Sequence, residues 1–519
     1  MKKKILFIMT LLLIAAIAFS LSSCNIFDED NSNTSGEHDN NTSDKDKCKH
    51  DDAEEICLYC GVTEEKYFTF TLLENGTYSV QAKDINNMPS LVIIPDTYNG
   101  AKVTYIPERA FSRCNKITGV KIGNNVVTIG HGAFYDCQNL AELVLGESVV
   151  SIEWNAFNDC NSKLYSAYDN LLYVRSGDNP YAILTETLFL QEHHTKYEIH
   201  DDTEFITAEA MIGCRNVTEL TIPKNVVFIG DRAFFSCESL ETLNILSNKI
   251  TYIGDNAFEG CIGISEITIP ETVEYIGKEA FAVCNFDFIK GGNLDYLVID
   301  NCLIERKTKT LIAGSNNSII PHDVTSIANN AFSFRKKIKS IDIPESVTYI
   351  GALAFQGCES LENIKIPDSV TTIGSYAFGH CQSLERVIIG KNVSSIQLSA
   401  FINCRSLTSI EVDDRNEHFQ SIDGSLYTKD GKTIIQYATG RKDTTFVIPD
   451  GVTTIGAEAF FSGDNLESIV IPKSVQKIEI SAFHYKLVNI YYMGNEDLWN
   501  MIDIVPNLNR VNIYYNYTP

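Results

Sequence analysis

The dipeptide Ala-Phe returns along most of the chain at a nearly fixed interval, and that interval restricts the fold more than any other feature. Copies stand at Ala110-Phe111, Ala133-Phe134, Ala156-Phe157, Ala233-Phe234, Ala257-Phe258, Ala280-Phe281, Ala331-Phe332, Ala354-Phe355, Ala377-Phe378, Ala400-Phe401, Ala459-Phe460 and Ala482-Phe483, with Ala210-Met211 as a thirteenth. Within uninterrupted runs the step is 23 residues, as from Phe111 to Phe134 to Phe157, and once 24, from Phe234 to Phe258. A unit this short cannot cover its own apolar face, so neighbouring copies must stack into a repeat solenoid. That quasi-linear arrangement accounts for 519 residues without several globular domains.

Each part of the unit has a physical task, clearest between residues 361 and 381. Leu361, Ile364 and Ile366 alternate as a strand with one buried face must. Proline then ends the strand, because it cannot donate to a ladder; it recurs at Pro223, Pro270, Pro344, Pro367, Pro449 and Pro472. Val370, Ile373 and Gly374 predict a second extended piece and a corner, after which Ala377-Phe378 turns inward. Stacked strands predict a long parallel sheet whose hydrogen bonds run along the solenoid. Cysteine follows four residues after the alanine at Cys114, Cys137, Cys160, Cys214, Cys237, Cys261, Cys284, Cys358, Cys381 and Cys404. These read as small buried side chains or as a redox or metal ladder. Arg335, Gly463 and Lys486 fill the same slot elsewhere, which favours the buried reading.

The combination of Ile-Pro, Ile-Gly and Ala-Phe-x-x-Cys resembles the leucine-rich repeats of BspA-like (treponemal-type) surface proteins, over roughly residues 62–519. The resemblance implies a leucine-rich-repeat superhelix with a long parallel β-sheet, short turns or helices, inserted β-hairpins and a cap at each end. It also implies display on a cell surface, an adhesion or host-contact role, and no shared enzymatic activity.

Three gaps break the period, between Phe157 and Met211, Phe281 and Phe332, and Phe401 and Phe460. They share the text Asp169-Asn170-Leu171, Asp300-Asn301-Cys302 and Asp423-Gly424-Ser425, so hairpin insertions are placed near 161–205, 285–323 and 412–446 within a solenoid of 101–488. They read as periodic structural variants or as protruding ligand contacts. Before the solenoid, Phe68 to Leu72 and Thr77 to Val80 flank Asn75-Gly76, giving an N-terminal hairpin cap over 62–100. After it, Tyr491, Tyr492, Trp499 and Tyr515 lie in a C-terminal cap, 489–519, as cap core or as a sugar platform.

The N-terminus reads as an address. Lys2, Lys3 and Lys4 precede an apolar run from Ile5 to Phe19, a secretory signal over 1–23. Leu21-Ser22-Ser23-Cys24 resembles a bacterial lipobox, which implies diacylglycerol on Cys24 and a mature chain beginning there. Residues 24–47 are polar and read as a disordered tether. Over 48–61, Cys48, His50, Cys57 and Cys60 offer four soft ligands for one structural zinc; a disulfide among the cysteines is the rival reading. No other cofactor is expected.

With 67 acidic and 42 basic side chains the net charge is −25, which argues against nucleic-acid partners. A nucleophile elbow, a phosphate-binding glycine loop, a zinc-protease helix and an EF-hand are all absent, so no enzyme is expected. His193, His194 and His200 read as a solvated insertion, and Asp413 to Glu417 as a solvated turn with weak cation potential. Outward sheet positions are read from the alternation as Glu142, Glu219, Thr221, Glu266, Asp342, Asn363, Lys365, Arg386 and Glu411, small or polar and of mixed charge. Such a face suits a protein partner met over a large area. The expectation is a monomeric, lipid-anchored cell-surface binding module for an extracellular protein, touching membrane only through Cys24; the alternatives are a glycan-binding accessory lipoprotein and a structural surface spacer.

Overall fold

A computed structural model describes residues 66–188, 195–505 and 511–519. They form a parallel β-solenoid of about 19 turns with almost no helix. Each regular coil carries two strands. The first holds the Leu-x-x-Ile-x-Ile text, as in Asn363–Ile366, Arg386–Ile389 and Ser409–Val412, which pair in parallel at one register. The second is only two residues long, as in Tyr349–Ile350, Thr372–Ile373 and Ser395–Ile396, and also pairs in parallel. A third ladder runs through the Ala-Phe corner without being a strand: Phe332, Phe355 and Phe378 N–H groups donate to Ala354, Ala377 and Ala400 carbonyls one coil on, at 2.7–2.8 Å. The parallel pairing is therefore shared between two strand rows and a turn.

Close stacking explains the Ile-Gly corner. A Cβ on Gly374 would stand 2.4 Å from the Ala352 nitrogen, and one on Gly230 would stand 2.3 Å from the Ala208 nitrogen. In the last coil of three runs the slot is instead Glu153, Gln397 or Glu479. Each side chain reaches back to the preceding coil and accepts a backbone N–H, from His131 (2.8 Å), Ser375 (3.1 Å) and Ala457 (3.1 Å).

The Ala-Phe rings fill the middle of the coils. Phe332, Phe355, Phe378 and Phe401 stack at centroid distances of 5.0, 5.1 and 5.6 Å with interplanar angles of 9° or less, and Phe111, Phe134 and Phe157 stack likewise at 5.1 and 5.5 Å. Phe355 and Phe378 are fully buried.

The interruptions are three-stranded antiparallel meanders rather than protruding hairpins. The first runs Tyr165–Tyr168, Leu171–Ser176 and Asn179–Thr187; the second Tyr296–Ile299, Cys302–Glu305 and Thr310–Gly314; the third Phe419–Ile422, Ser425–Thr428 and Thr433–Gln436. Their shared Asp-Asn or Asp-Gly pair is the turn between the first two strands. Both central residues have positive φ, 47° and 61° at Asp169-Asn170 and 50° and 75° at Asp423-Gly424, as a tight hairpin turn needs. The last strand of each meander then pairs in parallel with the next second-row strand, Phe205–Ile206, Ser326–Ile327 or Thr454–Ile455.

Because strand side chains alternate, each meander serves two cores at once. Val174 and Ile183 join the hydrophobic cluster that precedes the first meander, whereas Tyr173 and Leu184 join the one that follows. Leu303 faces back, and Cys302 and Ile304 face forward. Leu426 faces back, and Tyr427 and Ile434 forward. The meanders are partition walls dividing the solenoid into four blocks, each with its own core. The hairpin Phe68–Leu72 with Tyr78–Ala82 opens the first block in a similar way, its second strand pairing in parallel with Ala101–Ile106. At the far end Tyr492 and Trp499 pack edge to face at 5.2 Å inside the fourth core.

Candidate functional site

The outward positions of the first-strand row fall on separate sheets. Glu142 lies on Glu142–Val144, Glu219 and Thr221 on Glu219–Ile222, and Glu266 on Glu266–Ile269. Asn363, Lys365, Arg386 and Glu411 share one three-stranded sheet, where Asn363 is in register with Arg386, and Lys365 with Ile388 and Glu411. Asp342 is exposed but lies outside any strand.

Much of this surface neutralises itself between coils. Glu411 receives Arg386 through both oxygens, at 2.7 and 2.5 Å, and these hydrogen bonds hold its carboxyl below the usual range. Glu266 meets Lys290 at 2.7 Å, and Glu219 meets Lys196. Exposed pairs like these contribute little to stability, so their effect is on the pattern of charge a partner meets.

Aromatic groups also reach this row. Phe288 stands opposite Glu266 and is 45% exposed. Tyr491 and Tyr514 stack at 5.1 Å on the last sheet, with Tyr517 4.7 Å from Tyr491. The C-terminal aromatics thus divide: Tyr492 and Trp499 are core, whereas Tyr514 is exposed.

The cysteine slot builds a hydrogen-bonded column. The thiols of Cys137, Cys261, Cys358, Cys381 and Cys404 donate to Phe111, Phe234, Phe332, Phe355 and Phe378 carbonyls at 3.1–3.2 Å. The cysteines of the described residues are free. Burial pushes the Cys114, Cys137, Cys284 and Cys358 thiols up to about 12, so they are neither thiolate nucleophiles nor ready metal ligands.

Arg335 occupies this slot in the third block and is wholly buried. Its Nε donates to the Gly314 carbonyl at 2.6 Å, and its Nη1 to Ser333 at 2.8 Å and to Cys284 across the second meander. The guanidinium also lies 5.2 Å from the Phe286 ring.

One further sequence expectation changes. His200 is not a solvated loop residue: it stacks on Tyr181 at 3.8 Å and meets Tyr168 edge to face at 5.0 Å. The acidic turn is closed as a cation site, since Arg415 forks onto Asp413 at 2.9 and 2.8 Å. Among the described residues no group of three or more His, Cys, Asp or Glu could hold a metal. Cys24, Cys48, His50, Cys57, Cys60, His193 and His194 lie outside the described residues.

A concave feature lies where the first block meets the first meander. A cleft of about 240 Å³ is lined by Ile152, Trp154 and Phe157 from the last coil, by Thr185 and Glu186 from the last strand of the first meander, and by Glu209 from the second block. Trp154 is 47% exposed, and His131, the equivalent residue one coil earlier, stacks on it at 5.1 Å. The signal was present in the sequence: two residues before Ala, the other copies carry small, polar or aliphatic residues, and this one carries tryptophan.

Coils that open on a Leu-x-x-Ile-x-Ile strand, stack in register and bury a recurring phenyl column define a leucine-rich-repeat solenoid. Within that class, the chain belongs to the BspA-type leucine-rich repeat family. The family model, a BspA type leucine rich repeat region, matches in six copies over residues 91–176, 183–305, 313–427 and 436–496. Its gaps fall at or next to the second turn of each meander. Among solved structures, a leucine rich cell surface protein of Faecalibacterium prausnitzii is 26% identical, covering 86% of this chain and 98% of its own, with a TM-score of 0.38. A leucine-rich repeat protein of Bacteroides ovatus is 24% identical over the same shares, with a TM-score of 0.30. The pneumococcal vaccine antigen PcpA is 15% identical, covering 88% and 98%, with a TM-score of 0.39. No curated protein is matched. Members of this family typically stand on bacterial cell surfaces, and leucine-rich-repeat solenoids typically serve as binding scaffolds. No helix among the described residues is long and apolar enough to cross a membrane.

Proposed function

We propose that this chain is a monomeric, non-enzymatic binding module that meets an extracellular protein while held to the cell surface by lipid on Cys24. The observation that carries the reading is the outward sheet of Asn363, Lys365, Arg386 and Glu411, where polar groups of both signs repeat from coil to coil on a rigid backing. Partners recognised this way are met through many modest contacts, with charge setting orientation and encounter rate. The test presents the full mature chain to purified matrix proteins and mucins. Saturable binding that weakens when Arg386 and Lys365 are both changed to Glu supports the reading, and its absence refutes it. Mass spectrometry of the mature N-terminus tests the lipid on Cys24. Metal analysis with a Cys57→Ser control separates a structural zinc at Cys48, His50, Cys57 and Cys60 from a disulfide.

A second reading, saccharide binding, is favoured by the stack of exposed Tyr514 on half-buried Tyr491, beside Asn489 and Asn512. Glycan-array binding lost in Tyr514→Ala would establish it.

A further inference from the structure

The cleft at the first block junction has a charge balance unlike the self-paired sheet face. Among the described residues its lining includes three carboxylates, Glu153, Glu186 and Glu209, and no lysine or arginine. Glu209 is taken by Arg232 at 2.7 Å, and Glu153 accepts the His131 N–H at 2.8 Å. Among the described residues Glu186 has no ion-pair partner, and desolvation by the cleft wall, with the nearby Asp159 carboxylate, pushes its carboxyl up from the ordinary value. Across the cleft stands Trp154, the only exposed member of the chain's two tryptophans; the other, Trp499, is buried.

An aromatic face beside uncompensated carboxylates in a concavity is complementary to one chemistry. A cation over an indole face gains roughly 0.5–2 kcal/mol, and more as water is excluded. A cleft of one charge sign focuses its field and raises the local concentration of the opposite sign. Anionic saccharides and phosphates are repelled. A neutral sugar would use the ring but leave the charge unanswered.

We propose that the Trp154–Glu186 cleft is a receptor for a single basic side chain, lysine or arginine, projecting from an extracellular protein partner. The inference deepens the protein-binding reading and rests on it. The cation lies against the indole of Trp154, backed by His131, and turns its N–H groups to Glu186 and Glu153. The apolar stem lies along the exposed ring of Trp154. This is the arrangement of an interface anchor, a desolvated pocket filled by one residue while surrounding contacts exclude water.

The test titrates the full chain with N-α-acetyl-lysine amide and N-α-acetyl-arginine amide, following the emission of Trp154 above the constant background of Trp499. The neutral isosteres N-α-acetyl-norleucine amide and N-α-acetyl-citrulline amide, and methyl glucoside, serve as controls. The expected result is a saturable millimolar response to the two cations alone, weakened about tenfold in Glu186→Gln and by added salt. An equal response to the isosteres or the glucoside, an unchanged affinity in Glu186→Gln, or no saturable response overturns the proposal. Circular dichroism of Glu186→Gln establishes that the exposed substitution leaves the fold intact. A chain that binds its macromolecular partner equally well with Trp154→Ala sinks this inference and leaves the broader reading standing. A chain that binds no protein but responds to the basic amides sinks only the broader one.

Discussion

Phe355 is the most informative single side chain to remove. Its ring is fully buried between Phe332 at 5.0 Å and Phe378 at 5.1 Å, with interplanar angles of 4° and 2°. Phe355→Ala leaves a cavity that the two neighbouring coils cannot close, because their backbones are tied by the second-row ladder and by the hydrogen bonds at the corner. Buried Phe→Ala changes cost about 3–5 kcal/mol. Two lost stacking partners, each contributing roughly 0.5–1.5 kcal/mol, place this one near the upper end. About 4 kcal/mol corresponds to roughly a thousandfold change in an opening equilibrium.

The thiol column supplies the assay. Cys358, Cys381 and Cys404 lie in the core that contains Phe355, whereas Cys114 and Cys137 lie in the first block's core. In a stacked repeat, stability is a sum of local and nearest-neighbour contributions. Alkylation of the native chain, resolved by mass spectrometry, should therefore accelerate about a thousandfold at the third-block cysteines and remain unchanged at Cys114 and Cys137. Equal acceleration in all blocks would refute the partition-wall argument. Less than tenfold acceleration at Cys381 would refute the assignment of the phenyl stack as the core's main support.

Gly374→Ala forces its Cβ to within 2.4 Å of the Ala352 nitrogen, and the required backbone shift should cost about 1–3 kcal/mol by denaturant titration. Arg335→Met removes a costly buried charge but strands the Gly314, Ser333 and Cys284 carbonyls; at about 1–3 kcal/mol for each orphaned group the balance is destabilising, checked as faster labelling of Cys284 and Cys358. His484 is buried beside Asp464 at 3.0 Å, and desolvation, with Lys486 and Arg405, lowers its pKa despite that carboxylate. The unfolded state then binds more protons between the lowered value and about 6.5, so stability is complete above that range and falls on acidification through it. His484→Gln should flatten this slope, measured as the fourth block's melting temperature between pH 7 and 5.

What could be read from the sequence was what the repeat states many times. Leu361, Ile364 and Ile366 announce a half-buried strand, Gly374 a close corner and Phe378 an inward ring, and each recurs in enough copies to override local ambiguity. What could not be read was what occurs once. Tyr173 and Val174 are adjacent in sequence yet belong to different cores, a fact set by which two blocks the meander separates. Phe288 lies in a strand without the repeat's text, and Trp154 becomes part of a concavity only because the first meander's last strand, Asn179–Thr187, is placed beside it. The outward row was legible as positions but not as a surface, because the Arg386–Glu411 pairing and the division into separate sheets depend on coil-to-coil register.

The junctions follow a different chemistry from the coils they join. Inside a block, backbone N–H groups find carbonyls one coil away, and any residue can supply them. Across a partition wall that register is lost, and particular side chains take over: Tyr165 accepts the Cys160 N–H at 3.1 Å, Ser333 accepts that of Val283 at 2.9 Å, and Ser462 accepts that of Asn403 at 2.8 Å. Arg335 and Thr439 likewise cap the carbonyls of Cys284 and Cys404. A buried polar group without a partner is costly, so these positions are constrained individually, while coil positions are constrained only as a class. Coils can therefore be exchanged with little change beyond the sheet face, whereas each junction is a distinct structure. That asymmetry is why the cleft of Trp154 and Glu186, the feature best suited to selecting one ligand chemistry, stands at a junction and not on the repeated face.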